Sequence, residues 1–157
     1  MPESEERKLV ATHRKARFEY EILEKVEAGI ALVGPEVKSL RAGNASLVEA
    51  YAVVRRGEVY LIGAHISPYA QASRENPDPK RERKLLLRRA EIERLGAKVA
   101  ERGLTLVPLQ IYFRNGRAKV ELALARGRRR HDKRDAIRER EQEREVQRAL
   151  RSRSRRG

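Results

Sequence analysis

The amino-acid sequence predicts a mainly β protein: a small closed antiparallel barrel with two or three flanking helices and a basic C-terminal tail. Three observations predict this fold. About six segments have the alternating or compact apolar pattern of strands, turn residues join them at hairpin spacing, and two segments repeat apolar residues at helical spacing. A chain of 157 residues is long enough for one such domain with its own hydrophobic core.

The first predicted elements are two strands and a short helix. Segment 18–22 alternates apolar and acidic residues, which is the two-residue period of a strand. Gly29 interrupts the pattern, and 30–33 is predicted as a second short strand. Pro35 and Gly43 then bracket a short helix, because proline is favoured in the first turn of a helix and glycine just after its end.

Two hairpins are predicted from their turns. An Arg-Gly turn joins 51–55 to 58–62, and Asn115-Gly116, the strongest short hairpin signal, joins 104–113 to 117–125. Alternation in the second hairpin predicts two opposed apolar faces, namely Val107, Leu109, Ile111 and Phe113 against Ala118, Val120, Leu122 and Leu124.

A loop and a second helix separate the two hairpins. Segment 67–84 contains three prolines and has no periodicity, which predicts a long loop. Segment 88–102 repeats apolar residues three and four positions apart, which predicts a helix ended by Gly103.

Positive charge is concentrated towards the C-terminus. The chain has 37 Lys+Arg and 23 Asp+Glu, a net charge of +14, of which 126–157 contributes 14 Lys+Arg and 6 Asp+Glu. Few apolar residues there offset the entropy of ordering the chain. We therefore expect a flexible arm over 1–12, a globular domain over 13–126, and a basic tail over 127–157 that is disordered in isolation. Good helix formers in 133–147 predict that the tail becomes helical on a surface that holds it.

The composition excludes or disfavours several classes of protein. The chain has no cysteine, so disulfides and thiolate sites are excluded. No segment approaches the length of a membrane span and the N-terminus lacks a signal-like apolar region, so a cytoplasmic location is expected. Its three histidines lack metal-ligand spacing, and no phosphate-binding glycine loop or serine elbow occurs. We expect no metal, cofactor or small-molecule substrate, and an enzyme is disfavoured.

Four basic clusters indicate the class of partner. Any one of them is equally well explained as a solvated face, but four on one small body favour a surface that binds phosphates. Aromatic residues are only 4% of the chain, which favours structured RNA over a single strand stacked on rings. The clusters are Arg14, Lys15 and Arg17; Lys38 and Arg41; Lys80, Arg81, Arg83, Lys84, Arg88 and Arg89; and Arg126, Arg128, Arg129, Arg130, Lys133 and Arg134.

Several ordered segments resemble a known family. They are VEAGIALVGPEVKSLRAGNASL, HISPY, DPKRERKLLL, GLTLVPLQIYF and AKVELALARGRRRHDKRDAIRERE, and together they cover roughly 13–142. The sequence is similar here to the SsrA-binding proteins (small protein B), the tmRNA partners of bacterial trans-translation. The resemblance implies a barrel of the oligonucleotide-binding kind that binds the tRNA-like domain of tmRNA and enters stalled ribosomes with it. It implies an adaptor that has no reaction of its own.

The resemblance also implies residues for the tmRNA contact. Glu27 corresponds to a family glutamate that contacts RNA; its alternative role is a carboxylate paired with a neighbouring Lys or Arg. Leu86 corresponds to a leucine exposed at the RNA face, whereas its apolar neighbours alone would suggest core. His13 stands where the family commonly has asparagine, and Tyr20 is equally consistent with core and with RNA contact. The full expected set is His13, Arg14, Lys15, Arg17, Tyr20, Glu27, Lys38, Arg41, Lys84 and Leu86.

In the tail, GRRRHDKR resembles the family segment GKK-x-x-DKR. The resemblance implies a tail that is helical in the mRNA channel beyond an empty decoding site, with Gly127 as its hinge. The alternative is a nonspecific polycation. The expected ribosome-binding residues are Gly127, Arg128, Arg129, His131, Asp132, Lys133 and Arg134.

Three functions remain distinguishable by experiment. The leading one is the tmRNA adaptor, with tmRNA and the stalled ribosome as partners. The second is a generic ribosomal-RNA-binding protein or RNA chaperone that binds by charge. The third is an enzyme that acts on RNA with metal-binding carboxylates, for which the sequence offers no acidic cluster.

Overall fold

The structure, a computed structural model, describes residues 7–72, 75–128 and 140–151, apart from the side chain of Arg102. Within these residues the strands are β1 (Arg7–Thr12), β2 (Tyr20–Ile30), β3 (Ala45–Ser46), β4 (Tyr51–Arg55), β5 (Glu58–Ile62), β6 (His65–Ile66), β7 (Arg83–Leu86), β8 (Thr105–Arg114) and β9 (Arg117–Gly127). The helices are α1 (Ala16–Glu19), α2 (Gly34–Arg41), α3 (Arg89–Arg102) and a helix over 140–151, here called α4.

Six strands form a closed antiparallel ring. Its order is β8-β4-β5-β7-β2-β9, and pairing of β9 with β8 closes it. β4 reaches β8 only at Ala52 and Leu106, while β1 pairs with the other half of the same edge of β8. β3 and β6 form a separate two-stranded sheet. The small closed barrel predicted from the sequence is confirmed.

The barrel interior is an aliphatic core contributed by most strands. Ring closure turns one side of each strand inward, so alternate residues lose their contact with water. The most buried of these side chains include Leu61, Leu85, Leu106, Ile111 and Leu122.

Both predicted hairpins form at the expected residues. Asn115 and Gly116 have φ values of 51° and 76°, as do Arg56 and Gly57 at 52° and 74°. Two consecutive positive φ angles are those of a type I′ turn, whose twist matches that of the flanking strands.

A bulge divides the predicted apolar face of β8. The register with β9 shifts between Pro108 and Gln110, which breaks the alternation of side chains along β8. Val107 and Leu109 consequently pack in a second apolar cluster with Ala16, whereas Ile111 and Phe113 enter the barrel core. The single face predicted from Val107 to Phe113 is therefore wrong, while the opposing face on β9 is confirmed.

The N-terminal region differs most from the sequence prediction. Arg7–Thr12 is strand β1, not a flexible arm, because it pairs with β8; residues 1–6 lie outside the described part. Segment 18–22 is not one strand, since its first two residues belong to α1. β2 then continues without a break through Gly29, and the separate strand predicted over 30–33 is absent from these described residues.

The two longer helices of the domain are confirmed, and ion pairs attach both to the barrel. α3 ends at Gly103, which is in the left-handed conformation with φ 60°. Glu24 on β2 accepts hydrogen bonds from Arg94 and Lys98 of α3. These hydrogen bonds, together with the positive charges of Arg94 and Lys98, lower the pKa of Glu24.

A buried ion pair attaches α2 to the start of β7. Arg83 is fully buried, and its Nε donates to Oε2 of Glu36 at 2.7 Å while its Nη1 donates to the Ala64 carbonyl at 2.8 Å. Arg81 donates to the other carboxylate oxygen of Glu36 at 2.6 Å. The two arginines therefore hold the end of the long loop against α2.

The described part of the tail is helical. α4 is exposed along its length, and the guanidinium of Arg140 lies 4.9 Å from the ring centre of Phe18 on α1. It overlaps the 133–147 helix prediction from residue 140 onward. The conformation of the tail in isolation stays a prediction. Across the described ranges, no helix has the length and apolar character needed to cross a bilayer.

Candidate nucleic-acid interface

One outward surface of the barrel gathers charged residues from neighbouring strands. On β2, Val26 and Ala28 pack into the barrel core, so Glu27 between them points outward. Glu27 pairs in register with Glu121 of β9, and Gly29 pairs with both Lys119 of β9 and Leu86 of β7. We call this surface the outer sheet face. Its members are Arg7, Lys25, Glu27, Gly29, Lys84, Leu86, Tyr112, Arg114, Arg117, Lys119 and Glu121.

Glu27 lies at the centre of a compact ionic cluster. Its Oε2 accepts hydrogen bonds from the Tyr112 hydroxyl at 2.5 Å and from Nη1 of Arg114 at 2.8 Å. Arg7 of β1 lies 3.9 Å from the same oxygen and 3.8 Å from Glu121. We call Arg7, Glu27, Tyr112, Arg114 and Glu121 the Glu27 cluster. Glu27 therefore pairs with neighbouring arginines, as its alternative role requires, while 28% of its side chain stays exposed.

Tyr112 is the buried hydrogen-bond donor of this cluster. The residue is 1% exposed, and the guanidinium of Arg7 covers its ring at 4.5 Å. Burial, the hydrogen bond to Glu27 and the charge of that carboxylate together raise the pKa of Tyr112 well above its usual value. The hydroxyl therefore remains protonated and donates to Glu27.

Leu86 is exposed, as the family resemblance implies. It is 53% exposed, while Leu85 beside it is buried in the core, because successive residues of β7 face opposite ways. A Cβ at Gly29 would lie only 3.2 Å from Cβ of Leu86, so glycine at that position leaves room for the leucine. Lys84 lies on the same side of β7 and pairs with Glu58 at 3.4 Å.

His13 occupies a buried position. Its ring is 7% exposed, and Nδ1 lies 2.9 Å from the carbonyl oxygen of Pro108, so Nδ1 carries the hydrogen and donates it. The backbone N–H of His13 also donates to the Leu109 carbonyl. These bonds hold the adjoining turn against β8. Arg14 and Lys15, the next two residues, are exposed in this turn.

The other residues expected to contact tmRNA are not members of the outer sheet face. Lys38 and Arg41 of α2 lie over the rings of Tyr69 and Phe113, at 5.6 and 5.0 Å. Arg17 is exposed on α1. Tyr20 packs against the second apolar cluster, which agrees with its interpretation as a core residue.

Only some members of the third basic cluster predicted from the sequence are exposed at the surface. Arg81 and Arg83 point towards Glu36, and Arg83 is inaccessible, so the prediction that both contribute phosphate contacts is wrong for Arg83. The exposed members are Lys80, Lys84, Arg88 and Arg89.

Sequence reasoning missed several cations of the outer sheet face. These cations form no cluster in the sequence, because they are scattered along the chain; they are Arg7, Lys25, Arg114, Arg117 and Lys119. The available signal was a charged residue at every second position, as in Arg117, Lys119 and Glu121. Only strand pairing shows that these positions meet.

The structure describes the beginning of the expected ribosome-binding segment. Gly127 is the last residue of β9 and pairs with Tyr20, and the backbone N–H of Arg128 donates to the Glu19 carbonyl at 2.8 Å. The chain is thus still attached to the barrel at residue 128, one position beyond the expected hinge. Arg129, His131, Asp132, Lys133 and Arg134 lie outside the described residues.

Acidic and histidine side chains do not assemble into a metal-binding group in the described ranges. No set of three or more His, Cys, Asp or Glu residues there has the arrangement that would hold an ion.

Comparison with known proteins agrees with the fold and the sequence pattern. A family model described as "SmpB protein" matches residues 10–152. An SsrA-binding protein of Acidothermus cellulolyticus is 58% identical over 92% of this chain and 91% of its own length. That of Desulforudis audaxviator is 55% identical over 96% of this chain and 98% of its own.

A solved structure extends the comparison to three dimensions. The matched chain, from work described as "tmRNA-SmpB: a journey to the center of the bacterial ribosome", is 53% identical, with a TM-score of 0.65 over 81% of this chain and 93% of that one. The family model spans nearly all of the chain, and the relatives share more than half of its residues. The chain therefore belongs to the SmpB protein family.

Proposed function

We propose that the protein is a tmRNA-binding adaptor that delivers tmRNA to stalled ribosomes, where trans-translation rescues them and tags the incomplete proteins. One observation carries the proposal. Glu27 and Leu86, which the family resemblance assigns to RNA contact, lie on one face of the barrel and are joined through the Gly29–Leu86 strand pair. The names of the relatives, SsrA-binding proteins, support the same partner.

The outer sheet face offers two kinds of RNA contact. Its lysines and arginines attract phosphates, and this attraction supplies affinity without sequence preference. Glu27 repels phosphate but accepts hydrogen bonds from the amino and imino groups of bases, which supplies selectivity. A face with both chemistries suits a folded RNA whose backbone and exposed bases are presented together.

The tail is proposed to sense the absence of mRNA. Phosphates of ribosomal RNA would offset the charge of a helical basic tail in the mRNA channel, and mRNA would exclude it sterically. Discrimination then comes from exclusion and affinity from charge. This role assigns the protein to the cytoplasm, with the decoding site and mRNA channel as its ribosomal contacts, and requires no catalysis.

A competition titration tests the proposal. We expect the labelled tRNA-like fragment of tmRNA to bind tightly and to resist displacement by ordinary tRNA. Neutralisation of about 4–7 phosphates should give a slope of log K against log salt of roughly −3 to −6. Removal of 129–157 should change this slope little, because the tail is assigned to the ribosome.

The alternatives predict different outcomes of the same titration. Equal displacement by tRNA and fragment would contradict the adaptor role and support a generic RNA-binding protein. Turnover of the RNA on addition of magnesium or manganese would support an enzyme.

Glu27→Gln is expected to weaken fragment binding by about 5- to 150-fold, which corresponds to ~1–3 kcal/mol for a base contact. Tyr112 and Arg114 both donate to this side chain, so the glutamine oxygen would take the inward position and its NH₂ group would face the RNA. A donor would then replace the acceptor that the base edge needs.

The matched control is Glu82→Gln, because Glu82 also pairs with an arginine, Arg55, but does not belong to the Glu27 cluster. The control should bind like the parent. If the Glu27→Gln variant binds the fragment as tightly as the parent, Glu27 stabilises the barrel and makes no contact with the RNA.

A further inference from the structure

Tyr112 places a buried donor directly behind the proposed base-reading carboxylate. We infer that Tyr112 is a positioning residue: its hydroxyl, together with Arg114, holds Oε2 of Glu27 so that Oε1 faces the RNA, and this orientation sets the preference for tmRNA. The inference rests on the proposed function and adds to it the residue that determines specificity.

The hydroxyl group of Tyr112 lies in the interior and needs a hydrogen-bond partner. A buried hydroxyl without a partner is costly, and Tyr112 is 1% exposed. Its partner is Oε2 of Glu27 at 2.5 Å, a short distance of the kind seen when a hydroxyl donates to a carboxylate. The tyrosine ring is fixed in turn by burial and by Arg7 above it.

Two donors from β8 converge on one oxygen of Glu27. Arg114 follows Tyr112 by two residues, so both side chains leave β8 on the same side. Both donate to Oε2, which holds that oxygen from two directions. A group held in this way meets a base edge without further loss of rotational freedom.

The Tyr112 hydroxyl is a permanent donor under physiological conditions. The ordinary pKa of tyrosine already lies well above physiological pH, and burial and the adjacent carboxylate raise the pKa of Tyr112 further. The polarity of the contact is therefore constant: the barrel donates to the inner oxygen and the outer oxygen accepts from RNA.

Tyr112→Phe tests the inference, because it removes the hydroxyl and keeps the ring. We expect its preference for the tRNA-like fragment over ordinary tRNA to fall by about five- to tenfold, the net effect of losing one typical intramolecular hydrogen bond. Affinity for ordinary tRNA should change by less than about twofold, since the phosphate contacts remain. Tyr51→Phe, at a partly exposed tyrosine on β4, is the control for loss of a hydroxyl.

A double-mutant cycle separates positioning from a merely structural role. If Tyr112 acts through Glu27, Tyr112→Phe should cost no further selectivity in a Glu27→Gln background. Additive losses would overturn the inference, as would an unchanged preference of the single variant. Thermal melting checks the fold, and Arg114→Lys, which removes the guanidinium fork but keeps the ring and the charge, gives a second route to the same loss of selectivity.

Failures of the two proposals are distinguishable. A parent protein without preference for the fragment would overturn the adaptor role and this inference together. A parent with that preference, beside a Tyr112→Phe variant that keeps it, would overturn the inference alone.

Discussion

Replacement of Val146 by proline is expected to abolish tagging on stalled ribosomes while leaving binding of the tRNA-like fragment unchanged. Val146 lies in the middle of α4, where proline removes a backbone hydrogen bond and clashes with the preceding turn, at a cost of about 3 kcal/mol. The charge of the tail does not change. Because the side chains of α4 are exposed, the barrel offers little packing to compensate.

Tagging of a nonstop message in a reconstituted system measures this effect, with Val146→Ala as the control that keeps the helix. A second variant tests charge separately: alanine at Asp132, Lys133 and Arg134 together should also prevent tagging and spare fragment binding. Tagging at the parental rate by the proline variant would mean that the tail works as a flexible polycation.

Glu36→Gln is expected to destabilise the protein by about 3–5 kcal/mol, the usual loss when one partner of a buried ion pair is removed. The variant leaves the guanidinium of Arg83 fully buried without its ion-pair partner, and weakens the bond from Arg81. A loss of this size is a large part of the total stability of a small domain. Urea denaturation followed by circular dichroism measures it.

The control for this variant is Glu82→Gln, which removes an exposed pair with Arg55 and should cost about 0–1 kcal/mol. Similar losses for both variants would show that the Glu36 pair does not hold α2 to β7. Glu36→Gln should also weaken RNA binding only as far as it unfolds the barrel, because Glu36 is not exposed.

The same ion pair predicts how stability depends on pH. Burial favours the neutral acid at Glu36, but hydrogen bonds from Arg81, the Val33 N–H and Arg83 outweigh it, so the pKa of Glu36 lies below its ordinary value of 4.5. The contribution of Glu36 to the free energy of unfolding is therefore complete above that ordinary value and is lost as the pH falls through the lower pKa of the folded state. Because the Glu36→Gln variant lacks the titrating group, its free energy of unfolding should fall less than that of the parent over this acid range.

Local features of the sequence were sufficient for much of the fold. The Asn115-Gly116 and Arg56-Gly57 turns form as predicted, because their conformations depend on the residues in the turns themselves. Gly103 ends α3 for the same reason. The outcome for the site was mixed: Leu86 is exposed as the resemblance implied, whereas His13 is buried among barrel carbonyls.

Long-range pairing explains what could not be predicted. Arg7–Thr12 has no local signal of a strand and becomes β1 only because β8 leaves half of one edge open. Gly29 looks like a break in the sequence, yet β2 continues through it because Gly29 pairs with Lys119 of β9 and with Leu86 of β7. The bulge at Pro108 likewise reverses the side of the sheet on which Val107 and Leu109 lie.

The sequence by itself determined the class of fold, the positions of the hairpins and longer helices, the basic character of the surface and the family. Each of these depends on the residue types within short stretches of chain. Only the tertiary structure decided that Arg83 is an internal cation and that Glu27 meets Tyr112 and Arg114, 85 and 87 positions away. Barrel closure brings such distant residues together, and burial then decides whether a charge serves the core or faces a partner.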